Sequence, residues 1–293
     1  MYHQSLTYRI FRYGNNIFLC LLALLCVLPI IHVLALSFSS AWAVNGGNVT
    51  FFPVDFNVTN YKKVFENPLF VGAMGNSLLR VLLGVSISMT VMTLAAYSLS
   101  KDPQKFRGRT VWVWIFVFTM LFSGGLIPTY IVVQKVGLLN SIWALILPQA
   151  LNVYSMILLL NFFRSSVPTA LEEAAYIDGA GHFRTLVSIY LPVSLPAIAT
   201  ISLFTMVSYW KEWFNGLLYM STPDNYPLSS FLQTLFVQVT TDDPNVDLEE
   251  LKFLSDRSLR AAQIFISMLP IIAVYPFLQK YFVKGIVIGS VKE

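Results

Sequence analysis

"EEAAYIDGAGHFRTLVSIYLPVSLP", from Glu172 to Pro196, is the most polar short stretch in the middle of a very apolar chain. Thr169 followed by Glu172 fits a capping box, in which each side chain satisfies the other residue's free backbone N–H, with Ala170 opening a helix. Asp178-Gly179 fits a helix stop, because glycine takes the left-handed conformation beyond the last turn at no steric cost. The first helix is therefore expected over about Ala170–Asp178. After the Gly179–Gly181 bend, Phe183, Leu186, Val187 and Tyr190 fall at helical spacing on one face, with Arg184 and Ser188 elsewhere. Pro192 and Pro196 end that second helix. The segment reads as two short helices in an L or hairpin. Ala174 and Ala175 give a bare patch that a partner backbone can approach, and Glu172 and Glu173 can meet basic groups. On the residues alone, an interfacial hairpin that only connects two spans fits about as well.

The surroundings are those of a membrane protein. Of 293 residues, 56% are hydrophobic and 12% charged, against roughly 25% charged in soluble domains. A net charge of +4 is too small to argue for nucleic acid. Six segments are long and apolar enough to cross a hydrocarbon layer of about 30 Å as helices: Ile17–Phe38, Gly72–Leu99, Val111–Gln134, Leu139–Phe163, Ile198–Met220 and Ala262–Phe282. The first exceeds the roughly 7–15 apolar residues of a signal-peptide core and is read as a retained span. Cys20 and Cys26, six apart within it, point to different faces and suggest neither a disulfide nor a metal site.

With six spans, both termini share a side. The loop Lys101–Thr110, with Lys101, Lys105, Arg107 and Arg109, puts them in the cytoplasm by the positive-inside bias, together with the quoted stretch. Ser39–Val71 and Ser221–Leu259 then lie outside, the second carrying the acidic "TTDDPNVDLEE" and helix-breaking Pro223, Pro227 and Pro244. The chain reads as one all-α membrane domain. Residues 1–71 form a cytoplasmic tail, the first span and an outer segment; 72–281 form the core; and 282–293 form a cytoplasmic tail.

Glu173-Ala174-Ala175, three residues, Gly179, nine residues, Ile189, one residue, Leu191-Pro192 resembles the "EAA" signature of ATP-binding-cassette (ABC) importer permeases at every fixed position. "FSGGLIPTY" (Phe122–Tyr130), "YPLSSFL" (Tyr226–Leu232) and "VYPFLQKYFVKGIVIGSVKE" (Val274–Glu293) resemble the carbohydrate-uptake permeases of the maltose type, and among them the branch handling alginate- or pectin-type oligosaccharides. That resemblance implies the type I ABC importer permease fold. The quoted stretch would be its cytoplasmic coupling helix, with Glu172, Glu173, Ala174, Ala175, Asp178, Gly179, Ala180 and Gly181 docking on an ATPase subunit. It also implies a second permease subunit, two ATPase subunits that use ATP and Mg, an extracytoplasmic solute-binding protein, an oligosaccharide cargo and a bacterial cytoplasmic (inner) membrane. The chain itself would be no enzyme and hold no cofactor.

The fifth span contains "SYWKEWFNGLLYM", Ser208–Met220. A charge at mid-bilayer costs about 2.5–3.5 kcal/mol on insertion scales, so Lys211 and Glu212 are expected to face protein or water. Trp210, Lys211, Glu212, Trp213, Asn215 and Tyr219 form a possible substrate path: aromatic faces for sugar C–H surfaces and polar groups for hydroxyls. Similar permeases carry small polar residues where Lys211 and Glu212 stand. Lys211 is thus expected either to meet a sugar carboxylate or to sit with Glu212 near the outer interface, beside tryptophan anchors. Arg80 is expected to snorkel or to line the path, and His32 to be a packed or interfacial polar residue. Gly124-Gly125 with Pro128 is expected to loosen the third helix.

No GxxxxGK[ST] phosphate loop, HExxH or GxSxG appears. Two other classes stay open. An ion-coupled secondary transporter would need carboxylates buried at mid-membrane, for which Glu212 is the candidate. A purely structural membrane subunit would need no path at all.

Overall fold

The computed structural model describes residues 6–235 and 257–290, and among them every regular element is helical. The acidic outer run expected between Thr240 and Glu250, Lys252 and the last three residues lie outside the described residues. The chain divides into two compact units. One comprises Met1–Val71 with Thr234–Leu269, the other Gly72–Gln233 with Pro270–Glu293.

The first unit opens with α1, Leu6–Ser37. Its apolar stretch Tyr8–Ser37 is long enough to span and buries none of its window inside the chain, so its apolar surface is left to lipid or another protein. Cys20 and Cys26 are free and exposed on it. After α1 come α2 (Ala41–Asn45) and α3 (Thr59–Glu66). Ser40 caps α2 by accepting from Ala43 N at 3.2 Å. Asn60 ties the segment down, donating to Ser37 O at 3.0 Å and Ser39 O at 3.2 Å, while Ser258 Oγ donates to its Oδ1 at 3.3 Å. Phe38 stacks on Phe56 and packs on Tyr61. His32 Nδ1 meets Thr50 O at 2.5 Å, so it is a locally satisfied polar residue.

The second unit takes up α4 (Pro68–Ser100) from Gly72, and α4 is an unbroken span. The next three expected spans are all interrupted: the break expected at Gly124-Gly125 and Pro128 within Val111–Gln134 is present, whereas the uninterrupted helices expected over Leu139–Phe163 and Ile198–Met220 are corrected. α5 (Arg109–Leu121) and α6 (Leu126–Lys135) are bent by 113°. Gly125 takes φ +88° there, which a side chain would resist, and Pro128 cannot donate to a continuing helix. α7 (Ile142–Ile146), prolonged by a 3₁₀ turn to Gln149, meets α8 (Val153–Ser166) at 50°. The break follows Pro148, and Asn152 caps α8 by accepting from Ser155 N at 2.9 Å. α9 (Thr169–Ile177), α10 (His182–Thr185), a π turn (Leu186–Tyr190) and α11 (Leu191–Val193) form the hairpin region, and α12 (Leu195–Lys211) departs from its second arm at 84°. α13 (Phe214–Tyr219) and α14 (Leu228–Thr234) follow. α15 (Arg257–Ser290) begins in the first unit and continues in the second from Pro270. Among the described residues, three helices are thus long and apolar enough to cross a membrane, and counting each bent pair as one span gives six.

The core of the second unit is built from Met92, Ala96, Tyr97 and Leu99 of α4, Met156, Leu159, Leu160 and Phe163 of α8, Leu186 and Tyr190 of the π turn, and Ile201 of α12. Between helices in a bilayer such packing is held by van der Waals contact, since lipid tails are as apolar as these side chains. This cluster seats the hairpin on α4 and α8.

Candidate functional site

The hairpin's first helix starts at Thr169, with Pro168 in the capping position and no side-chain cap. The capping box expected from Thr169 and Glu172 therefore does not form. Its would-be partner is taken elsewhere: the Glu172 carboxylate is buried and accepts from the Tyr190 hydroxyl at 2.5 Å and pairs with Lys101 Nζ at 3.0 Å. A charged, hydrogen-bonded pairing outweighs a neutral cap contact. The helix stop is as expected. Gly179 takes φ +79°, its N–H donates to Tyr176 O at 3.0 Å, and Ala180 N donates to Ala175 O at 2.9 Å, the paired bonds of a Schellman end.

The second arm differs from expectation. Leu186 and Tyr190 are buried, but Phe183 is 75% and Val187 44% exposed. The buried set is instead Thr185, Leu186 and Tyr190, at the spacing of four to five that the π turn imposes. Tyr176 OH and His182 Nδ1, 2.9 Å apart, join the two arms. What the hairpin presents outward is Glu173, Ala174, Ile177, Asp178, Gly179, Gly181, Phe183 and Arg184, with Ala175 and Ala180 half-buried beneath. Ile177 is 86% exposed.

Behind that face lies a charged clamp. Lys101, directly after α4, has its ammonium 3.7 Å from the centre of the Tyr97 ring and 4.4 Å from that of Tyr190, an arrangement in which ring faces attract a cation. It also donates to Tyr190 OH at 3.3 Å. Lys105, half exposed, reaches the other Glu172 oxygen at 3.5 Å. Burial acts to raise the Glu172 pKa, but the Tyr190 hydroxyl and the two ammonium groups outweigh it, and the net shift is downward. Burial lowers the Lys101 pKa, and Glu172 offsets part of that. In the sequence, Lys101 and Lys105 signal topology alone. Nothing at a separation of seventy-one positions signals that Lys101 and Glu172 touch.

The second group of candidate residues sits at the far end of α12. The helix stops at Lys211, and Glu212 is extended at φ −71°, ψ 116°. Arg80 of α4, 0% exposed, donates Nη2 to the Glu212 carboxylate at 2.5 Å and Nη1 to the Glu212 carbonyl at 2.9 Å. It neither snorkels nor lines an open path. The other carboxylate oxygen accepts from Asn215 N at 2.7 Å, so Glu212 also caps α13. Ser229 and Ser230 donate to the carbonyls of Glu212 and Trp213 at 2.7 and 2.6 Å. These bonds satisfy the backbone groups that a break in an apolar span leaves open. Gly216 is needed at this junction, because a Cβ there would overlap Ser230 Oγ and lie 2.8 Å from Pro227 Cδ.

The six candidate path residues are therefore not equivalent. Trp210 and Tyr219 are buried, the latter stacked on Tyr130 at 6.2 Å. Asn215 is half-buried. Trp213 is 40% exposed and Lys211 is exposed. Glu212 pairs with Arg80 rather than with Lys211, which makes no ion pair among the described residues. No cluster of metal-ligating side chains occurs among the described residues.

Residues 5–288 match the family described as "Binding-protein-dependent transport system inner membrane component". The chain is 39% identical over 278 residues, 94% of its length and 96% of the relative's, to the polygalacturonan/rhamnogalacturonan transport system permease protein YtcP of Bacillus subtilis (strain 168). It is 27% identical over 290 residues, 96% of its length and 98% of the relative's, to the maltodextrin transport system permease protein MdxG of the same organism. Among solved structures, a chain of a bacterial ABC transporter involved in the import of the acidic polysaccharide alginate superposes with a TM-score of 0.85 at 33% identity, over 96% of this chain and all of that one.

Proposed function

Because the chain belongs to the family of binding-protein-dependent transport system inner membrane components, we propose that it is the permease subunit of an ABC importer that carries acidic oligosaccharides derived from a polysaccharide. Membership sets aside the purely structural subunit and the ion-coupled carrier, whose one candidate carboxylate, Glu212, is held by Arg80. The observation that carries the reading is the hairpin itself. Its Schellman-capped helix offers Glu173, Ala174 and Ile177 outward, while Glu172 is sequestered behind. In this reading the outward face docks on a cytoplasmic ATPase subunit, and a second permease subunit covers part of the exposed apolar helices, α1 among them. Both termini and the Lys101–Thr110 loop face the cytoplasm.

The acidic cargo is supported by the uronate-rich or acidic polymers named for the permeases at 39% and 33% identity, and by the exposed Lys211 beside Trp213. A neutral cargo has the more distant maltodextrin permease in its favour. The test is uptake into vesicles holding the full complex, with oligogalacturonates and maltodextrins offered in turn. ATP-dependent uptake of the oligogalacturonates alone is expected, and preferential uptake of maltodextrins would overturn the acidic assignment.

A further inference from the structure

α4 is held by a buried ion pair at one end and, twelve residues in from Pro68, by a second pair in which Arg80 is enclosed and Glu212 is partly exposed. At its inner end Lys101 and Glu172, with side chains 8% and 7% exposed, lock the coupling hairpin to the helix. Toward its other end Arg80, fully enclosed, holds Glu212 at the break after α12. Asn76 donates there to Asp224 O at 2.9 Å and Tyr226 O at 3.3 Å, and Ser77 Oγ accepts from Leu228 N at 2.7 Å. Between the two pairs α4 has no break and no internal proline, and at 1.5 Å per residue Arg80 and Lys101 are roughly 30 Å apart. The third, fourth and fifth spans are all bent and lack such a straight element.

Buried ion pairs are a poor way to gain stability, because desolvation opposes the attraction; what they supply well is a fixed register between elements. Resting on the proposed function, we propose that Lys101 and Glu172 are a positioning pair that makes the coupling hairpin and α4 move as one body, and that α4 passes that movement to the Arg80–Glu212 junction beside the candidate substrate residues. Neither Lys101 nor Glu172 touches cargo. Tyr97 and Tyr190 hold the Lys101 ammonium between their rings, so the clamp has one geometry rather than several. A rod fixed at two points is the kind of element whose two positions both sites can bias.

The test uses the complete complex in lipid vesicles and reads the stimulation of ATP hydrolysis by its binding protein loaded with a digest of polygalacturonan. The variant is Lys101→Met with Glu172→Gln, which leaves no lone buried charge; the control is Ala174→Trp, on the docking face. The double variant is expected to assemble in normal amount and bind the loaded protein at the same half-maximal concentration. Its stimulation ratio is expected to fall about fivefold or more, the size of a typical coupling energy between sites. An unchanged ratio, or failure of the double variant to assemble, would assign the pair to stability alone and overturn the inference. If the unsubstituted complex responds, Ala174→Trp does not, and the double variant does, only this inference fails. No response from the unsubstituted complex would overturn the proposed function and this inference with it.

Discussion

At the scale of single residues, the difference between Lys211 and Glu212 decides what each can do. Glu212 spends both carboxylate oxygens within the chain, on Arg80 and on Asn215 N. Lys211 is exposed and makes no ion pair among the described residues, which leaves it open to the proposed acidic cargo. A contact between its ammonium and a sugar carboxylate is worth about 1.5–3 kcal/mol. Lys211→Gln is therefore expected to weaken stimulation by acidic oligosaccharides about tenfold to a hundredfold and to spare neutral ones, at equal protein level. Equal loss for both would leave Trp213 as the exposed candidate. Glu212 predicts the opposite kind of effect. Glu212→Gln strands the Arg80 charge in the interior, at a cost of about 3–5 kcal/mol, and Arg80→Met alongside it should recover most of the loss. Thermal unfolding of the purified chain in detergent measures both. Additive losses in the double variant would show that the pair is not a unit.

The element that matters most is the hairpin. Ala174 is exposed, whereas Ala175 is half-buried, so a large residue at Ala174 projects outward and leaves the chain's own core undisturbed. Ala174→Trp is expected to insert normally and to abolish stimulated ATP hydrolysis of the assembled complex; full stimulation would refute docking through this face. The attachment of the hairpin has its own pH dependence. The Glu172 carboxyl titrates below its ordinary value of 4.5. A depressed carboxylate contributes its stabilisation fully above the ordinary value and loses it as pH falls through the lowered one. Limited proteolysis at Gly179–Gly181 is therefore expected to be constant from neutral pH down to about that ordinary carboxylate range and to rise only in stronger acid. In Glu172→Gln the rate should be higher and insensitive to pH. A rise already near neutral pH in the unsubstituted chain would mean that Glu172 does not hold the hairpin.

For the whole molecule, the expected arrangement places both termini, Lys101–Thr110 and Gly181 in the cytoplasm, and Ser39–Val71 and Asp242–Glu250 outside. Single cysteines introduced after replacement of Cys20 and Cys26 test this in intact cells, and labelling at Gly181 by an impermeant reagent from outside would overturn both the map and the docking reading. Much of this was legible in the residues. Apolar length marked the spans, Asp178-Gly179 marked the helix end that Gly179 φ +79° realises, and Gly124-Gly125 with Pro128 marked the break that bends the third span by 113°, because glycine and proline act through their own backbone constraints. The EAA spacing carried the family because it lies within one local segment. The failure of the Thr169–Glu172 capping box and the pairings of Lys101 with Glu172 and Arg80 with Glu212 were decided by the tertiary structure. Each joins groups far apart in the chain, and a charge leaving water takes whichever partner the packed helices bring to it, a choice that no local spacing records.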